Sequence, residues 1–306
     1  MEQQGCGLGW WWVCLAVPAL FCACGRPAGA PPPGINYYLE MGKPHAPASA
    51  TGTIHAPLDE LLSRHVDNHG LVDYVGLATD VAQLDAYLVS MAQHIPAPAA
   101  ASDLPAVSAE MAFWINVHNA AALRAVLQAG VPDTVTSVPD FFTRPVFAGL
   151  SLKAIKDDKL RARFRDPRVH MVLTYCARGG PMLERHAFTA ADLDWRLSAA
   201  TVRFCNNRAY AAIYSTSDEI RLSPILREYS GEKPGEPRYE YGEDFGTTHR
   251  QRRLWLARYI PPSYSRYLKN NVPQKVIYTN FDWRLNRQDA PQTNPIPIFM
   301  APPGEP

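Results

Sequence analysis

The sequence lacks the short signatures that would announce a reaction. No Gly-rich phosphate loop, dinucleotide fingerprint or Gly-x-Ser-x-Gly elbow occurs in it, so no cofactor is expected. Charge of one sign is also missing: the formal net charge is +1 over 306 residues. Such a chain has no field to gather nucleic acid, which is not expected as a partner. The densest basic run, Arg250-Gln251-Arg252-Arg253, precedes Leu254-Trp255-Leu256 and reads as the solvated face of an amphipathic helix. Cysteine is scarce in the body. Cys6, Cys14, Cys22 and Cys24 crowd the first stretch, leaving only Cys176 and Cys205 beyond it. A disulfide-stapled scaffold would spread its cysteines more evenly; spacing leaves open whether the body pair is bridged. Repeats are absent too. With 47% hydrophobic and 19% charged residues, a real core can form and global disorder is excluded.

What the chain does have begins at its N-terminus. Residues 8–24 are almost wholly apolar. The run is shorter than the ~20 residues of a comfortable membrane span and suits the apolar core of a secretory signal. The run Leu20-Phe21-Cys22-Ala23-Cys24 resembles a bacterial lipoprotein processing site, with Ala23 before a lipidated Cys24. It departs from that pattern in Phe21, where Leu is usual, and in having no Lys or Arg ahead of the apolar run. An uncleaved apolar anchor is the other reading. Residues 25–49, rich in Pro, Gly and Ala, read as a flexible tether. The expected layout is an export segment at 1–24, a tether at 25–55, a globular domain at 56–286 and a Pro-rich disordered tail at 287–306. The expected place is the cell envelope, with a membrane contact through a lipid on Cys24.

Within the body, apolar spacing predicts helices over 58–68, 81–91, 107–128, 151–163, 190–202, 254–259 and 264–268. Strands are expected at 71–74, 145–150, 169–175 and 275–283, with a hairpin joining 210–214 to 219–222. Residues 231–242 read as a surface loop. Helices and strands intermix, so the expected class is α/β or α+β: one mixed domain, one central sheet, a buried long helix and surrounding helices.

The long helix holds the first candidate site. In Ala112-Phe113-Trp114-Ile115-Asn116-Val117-His118-Asn119-Ala120, every residue three or four places from His118 is apolar. Asn116, His118 and Asn119 are therefore polar groups on a helix that is apolar nearly all round. They either tie the helix to neighbouring backbone or floor a pocket.

The second candidate is Val169-His170-Met171-Val172-Leu173-Thr174-Tyr175-Cys176-Ala177-Arg178-Gly179-Gly180-Pro181. It reads as a central strand running into a glycine turn, with Pro181 opening a helix whose free N–H groups could meet an anion. Alternation would place His170, Val172, Thr174 and Cys176 on one face. In an extended strand His170 and Cys176 lie about 20 Å apart, so a base for Cys176 would have to be His118, His186 or another histidine. Cys176 is either a buried inert thiol or a nucleophile. The pair His65 and His69 has metal-binding spacing but lacks the glutamate of a metalloprotease helix, and no metal is expected.

Several segments together resemble the domain-of-unknown-function 547 family: Gly70-Leu71-Val72-Asp73-Tyr74, Ala112 through Ala120, Asp166-Pro167-Arg168-Val169-His170, Leu222-Ser223-Pro224-Ile225-Leu226, Asp244-Phe245, and Phe281-Asp282-Trp283-Arg284-Leu285-Asn286. The resemblance covers about residues 58–286 and implies one mixed α/β domain, often in exported bacterial proteins, with no settled activity. It also implies Tyr in place of His118 and a cysteine in place of Gly180. A thiol at a helix start would have a lowered pKa; Gly180 offers none. The expected function is thus ligand or partner binding, or a catalytically degenerate domain. The alternative is a hydrolase or acyl-transfer enzyme using Cys176 with a histidine. Catalytic candidates are Cys176, His118 and His170; ligand-binding candidates are Asn116, Asn119, Arg178, Gly179 and Gly180, facing an unidentified small ligand or protein.

Overall fold

The computed structural model describes residues 35–41, 49–50, 52–228, 244–246, 248–270 and 275–288. The export segment with Cys24, most of the tether, the loop at 231–242 and the tail from 289 lie outside the described residues. The helices in chain order are α1 (Tyr37–Glu40), α2 (Ala56–His65), α3 (Tyr74–Thr79), α4 (Val81–Gln93), α5 (Leu104–Gln128), α6 (Leu152–Ala154), α7 (Ala162–Phe164), α8 (Leu193–Cys205), α9 (Ile225–Glu228), α10 (His249–Leu256) and α11 (Pro262–Asn270). The strands are β1 (Pro145–Phe147), β2 (Leu150–Ser151), β3 (Ala211–Tyr214), β4 (Glu219–Leu222) and β5 (Lys275–Tyr278). No described helix is long and apolar enough to cross a membrane.

Helix α5 is the axis of the fold. Asp103 caps it by accepting from Ala106 N, and Pro105 sits in its first turn, where a missing N–H costs nothing. It ends in a Schellman arrangement. Gly130 adopts φ +74°, Gly130 N donates to Leu127 O, and Val131 N donates to Val126 O. From Glu110 to Leu123 every residue is buried, and the helix packs against α4, α6, α8, β1 and the π-helical turn Ile155–Arg161. That turn joins α6 to α7, so the helix expected over 151–163 forms with a π-bulge at its centre. Ser151 caps it, accepting from Ala154 N.

The mixed class holds, but the strands form two small sheets and not one central sheet. β1 and β2 make a two-stranded hairpin; β3, β4 and β5 make a sheet in that order, antiparallel then parallel. The single strand expected over 145–150 is thus folded back on itself at Ala148 and Gly149, both at positive φ. The strand expected at 71–74 shrinks to bridges at Val72, because Asp73 accepts from Gly76 N and starts α3. Within the stretch read as a tether, α1 packs on the body, with Tyr37 buried and stacked on Tyr259 at 5.3 Å.

The central strand expected at 169–175 does not form. Pro167–Met171 is a 3-10 turn. Its cause is local: Asp166 accepts from Arg168 N at 2.9 Å, and the Arg168 guanidinium bends back onto the same carboxylate. Arg168 also reaches Ser198 and Asp194 on α8. Further along, Asn119 takes the Val172 carbonyl and the Thr174 N–H, groups a strand would spend on its ladder. With the strand go the alternating face and the 20 Å separation of His170 from Cys176. Pro181 likewise opens no helix, and regular structure resumes only at α8. The C-terminal stretch 281–288 closes the domain as a strap. It bridges Thr134, Ala177 and Val72 through Arg284, Leu285 and Arg287, respectively.

Candidate functional site

Two polar regions emerge. The first lies inside, around α5. Asn116 donates from Nδ2 to Phe188 O at 2.9 Å and accepts from Phe188 N at 2.8 Å. Asn119 does the same to the other crossing segment, donating to Val172 O and accepting from Thr174 N, both at 2.9 Å. Each amide thus fastens the helix to backbone that has no ladder of its own, and the buried groups are satisfied. These bonds fix the Asn119 amide orientation, so its Oδ1 faces His118 Nδ1 at 3.3 Å and the imidazole is the donor there. Burial pushes His118 down to about 4, against the pull of the Asn119 contact. It is neutral at pH 7.

His170 is fully buried and donates from Nε2 to Asp244 Oδ2 at 2.7 Å. Arg161 Nε shares that oxygen at 2.7 Å, and Arg161 Nη1 donates to Asp157 Oδ1 at 3.0 Å; Lys153 closes the chain on Asp157. Burial lowers His170 despite the carboxylate beside it. For Asp244, burial works upward, and the His170 and Arg161 bonds overcome it and hold the carboxyl below its usual range. The π-bulge earns its place here, since it carries Asp157 and Arg161. Lys156, on the same turn, bears electrostatically on both His118 and His170, so the structure brings these two sequence candidates into one neighbourhood.

Cys176 is enclosed. Its backbone takes φ +52°, and its thiol meets Thr174 and Tyr74, with no histidine among its hydrogen-bond partners within the described residues. Burial pushes the thiol up to about 12, so it is protonated at neutral pH. Cys205 is buried and free as well, so the body pair is not bridged. His186 is on the surface beside Asp59, and His65 meets Asp80.

The second region is a cleft of about 860 Å3, within the range of small-ligand sites. Arg178 and Gly179, two of the sequence candidates, line it. Gly179 sits so close to the strap that a Cβ there would lie 2.5 Å from Asp282 N. This contact lets Arg178 N and Gly179 N donate to Arg284 O and Asp282 O. Gly180 lies just behind, where its carbonyl accepts from the Tyr210 hydroxyl at 2.9 Å. Tyr210 also donates to Arg178 O and stacks on Phe204 at 4.6 Å, so the turn is held from behind by a ring. Asn116, His118, Asn119, His170 and Cys176 are not among the residues lining this cleft.

Four more arginines reach the cleft: Arg203, Arg208, Arg221 and Arg284. Sequence reading missed them. They come from α8, the loop after it, β4 and the strap, and each reads alone as an ordinary surface residue. The only signal was Asp282 and Arg284 inside a segment quoted for its resemblance. Among the described residues, no group of His, Cys, Asp and Glu could hold a metal ion.

Residues 103–205 match the family described as Protein of unknown function, DUF547. The match runs from the cap of α5 to the end of α8, so the resemblance read from the motifs is shown across that stretch. It takes in the Asn116 and Asn119 clamps, the Asp166–Arg168 clip, His170, Cys176 and the Arg178–Gly180 turn. No curated protein and no solved structure matches the chain.

Proposed function

We propose that this chain is an exported protein, lipid-anchored at Cys24 and followed by a tether, whose DUF547 domain within 56–286 binds a small ligand in the cleft at Arg178 and Gly179. The observation that carries this reading is the pairing of an open cleft with an enclosed thiol. Arg178 and Gly179 line about 860 Å3 of accessible space, while Cys176 is buried and its thiol pushed up to about 12. A nucleophilic cysteine needs the opposite shift and an open approach. His118 and His170, neutral and internally bonded, serve the frame in this reading and do not react.

The test is a fragment set read by chemical-shift perturbation on the folded domain. Hits should move the Arg178, Gly179 and Tyr210 resonances. If no fragment perturbs them while others bind elsewhere, the cleft reading fails. The thiol-enzyme alternative is tested with an alkylating probe below neutral pH. Cys176 should label only on unfolding; rapid labelling of the native protein would restore that alternative. For the anchor, the full chain should fractionate with membranes and Cys24→Ala should release it. Equal fractionation of both would remove the lipid from the proposal.

A further inference from the structure

The strap carries an open tryptophan. Trp283 is 37% exposed, yet its ring is held: it meets Phe281 at 4.3 Å and Phe142 at 6.2 Å, and Phe281 meets Tyr175 at 5.7 Å. One open apolar ring is ordinary on a surface; its neighbours set this one apart. On either side of it in the strap stand Asp282 and Arg284, which both line the cleft. Arg284 donates from Nε to Asp282 Oδ1 at 2.9 Å and from Nη2 to Oδ2 at 2.6 Å. The Arg284 bond, with the charge of Arg178 adding to it, holds the Asp282 carboxyl below its usual range. Donor and acceptor thus lie side by side, each answering the other's charge. Arg203 and Arg221 are likewise paired, with Glu184 and Glu219, so the arginines pull on an anion less than their number suggests. The cleft also has neutral hydrogen-bonding groups: Asn68, Asn207, Asn280, Ser223 and Thr279. Asn68 Oδ1 accepts from Arg185 Nη1 at 2.8 Å, and Asn207 Oδ1 accepts from Ala209 N at 3.0 Å. These bonds orient both amides. Their Nδ2 donors, and the Asn280 side chain, make no hydrogen bond among the described residues. Rings complete the wall, from Phe204, Tyr210, Tyr214 and Phe281.

Resting on the cleft reading above, we propose that the ligand is a neutral saccharide of at least two sugar units, one stacked on Trp283 and the next held in the cleft by the amides of Asn68, Asn207 and Asn280. A sugar ring has apolar C–H faces and a rim of hydroxyls that donate and accept. Its faces match aromatic rings, and its rim matches side-chain amides and a carboxylate–guanidinium pair. Added charge gains little beside Asp282 and Arg284, which already answer each other. A flat heterocycle would use the rings and leave the amide donors unmatched. Two units are required because Trp283 stands on the strap and is not among the residues lining the cleft.

The experiment titrates the full chain with maltotriose, cellotriose and triacetylchitotriose, against glucose, adenosine and trigalacturonate. It follows the Trp283 indole N–H and the Asn280 side-chain amide together with the Arg178 and Tyr210 resonances. At least one neutral trisaccharide should move strap and cleft resonances together and bind about tenfold or more tightly than glucose. Raising salt should leave its affinity unchanged, since no charge is neutralised. Trp283→Ala should lose about tenfold and Trp283→Phe less. Asn280→Ala, at an exposed side chain, should lose about threefold to tenfold. Val89→Ala, at an exposed apolar residue of α4 outside the cleft, should change nothing. Tighter binding of trigalacturonate that salt abolishes overturns the neutral class. Tighter binding of adenosine overturns the saccharide. Equal binding of glucose, or a Trp283→Ala variant that binds as the parent does, removes the platform and with it the second unit. If no trisaccharide moves a cleft resonance while small fragments do, this inference falls alone; if nothing moves them, the cleft reading falls with it.

Discussion

The polar layer around α5 and the arginine cleft use the same residue types to opposite ends. Inside, Arg168 is matched at short range with Asp166, Arg161 with Asp157 and Asp244, and the neutral His170 donates to Asp244. Burial then makes such partnerships costly to break. In the cleft, arginines reach toward water, and one of them, Arg208, is exposed and makes no ion pair among the described residues. The paired groups inside hold the fold, whereas the cleft arginines lie at the surface. The residues that look most unusual in the sequence belong to the first region, because a polar group on an apolar helix breaks a pattern. Those suited to binding break no pattern at all.

The contrast can be broken most sharply at Arg168. Arg168→Leu leaves the Asp166 carboxylate, fully buried, without its partner. The expected loss is about 3–5 kcal/mol in urea unfolding, the range for one half of a buried pair. A loss under about 1 kcal/mol would mean that the interior pairs do not differ from surface ones. Asn119→Leu comes next. It strands the Val172 carbonyl and the Thr174 N–H, at about 2–4 kcal/mol for two unsatisfied buried groups. Near-parent stability would show that water or a rearranged backbone replaces the clamp.

Acid sharpens the comparison further. Burial lowers His118 and His55 to about 4 from an ordinary 6.5, and lowers His170 as well. A histidine whose folded pKa lies below its unfolded one is charged more readily in the unfolded chain. Its contribution is fully present above about pH 6.5 and is lost as the pH falls from there toward about 4. Stability measured by denaturant midpoint should therefore decline through that window. His118→Gln should flatten the slope by up to one proton's worth. A parent slope unchanged by the substitution would show that His118 does not carry this linkage. The smallest expected effect is at Arg208. Arg208→Ala should move stability within about 0.5 kcal/mol. A large loss of stability there would place Arg208 in the frame with the interior arginines.

Much of the fold was legible in the sequence wherever short-range rules govern. Gly130 marks the end of α5, whereas apolar spacing started the helix at 107 and it begins at Leu104, where Asp103 caps it and Pro105 enters its first turn. The hairpin of β3 and β4 follows from two apolar runs around a polar turn. The interior position of Asn116, His118 and Asn119 follows from spacing alone. The candidate site was half legible. Arg178 and Gly179 drew notice as a turn, and they line the cleft. Arg203, Arg208, Arg221 and Arg284 passed unnoticed, since nothing in their immediate neighbours distinguishes them from solvated charges.

The sequence by itself determined helix positions, caps and which face of α5 could not meet water, because these depend on residues within a turn or two. A local clip and a long-range clamp together decided the shape of 167–176. Its β-branched composition favours a strand, but Asp166 claims the Arg168 N–H nearby and Asn119, 53 and 55 residues away from its partners, claims the backbone groups a ladder needs. Tertiary structure alone made the cleft, by setting the 178–179 turn against the strap with a glycine where no Cβ fits. Hydrogen-bonding groups can be spent only once. Which partner claims each of them is settled by contacts between segments far apart in the chain.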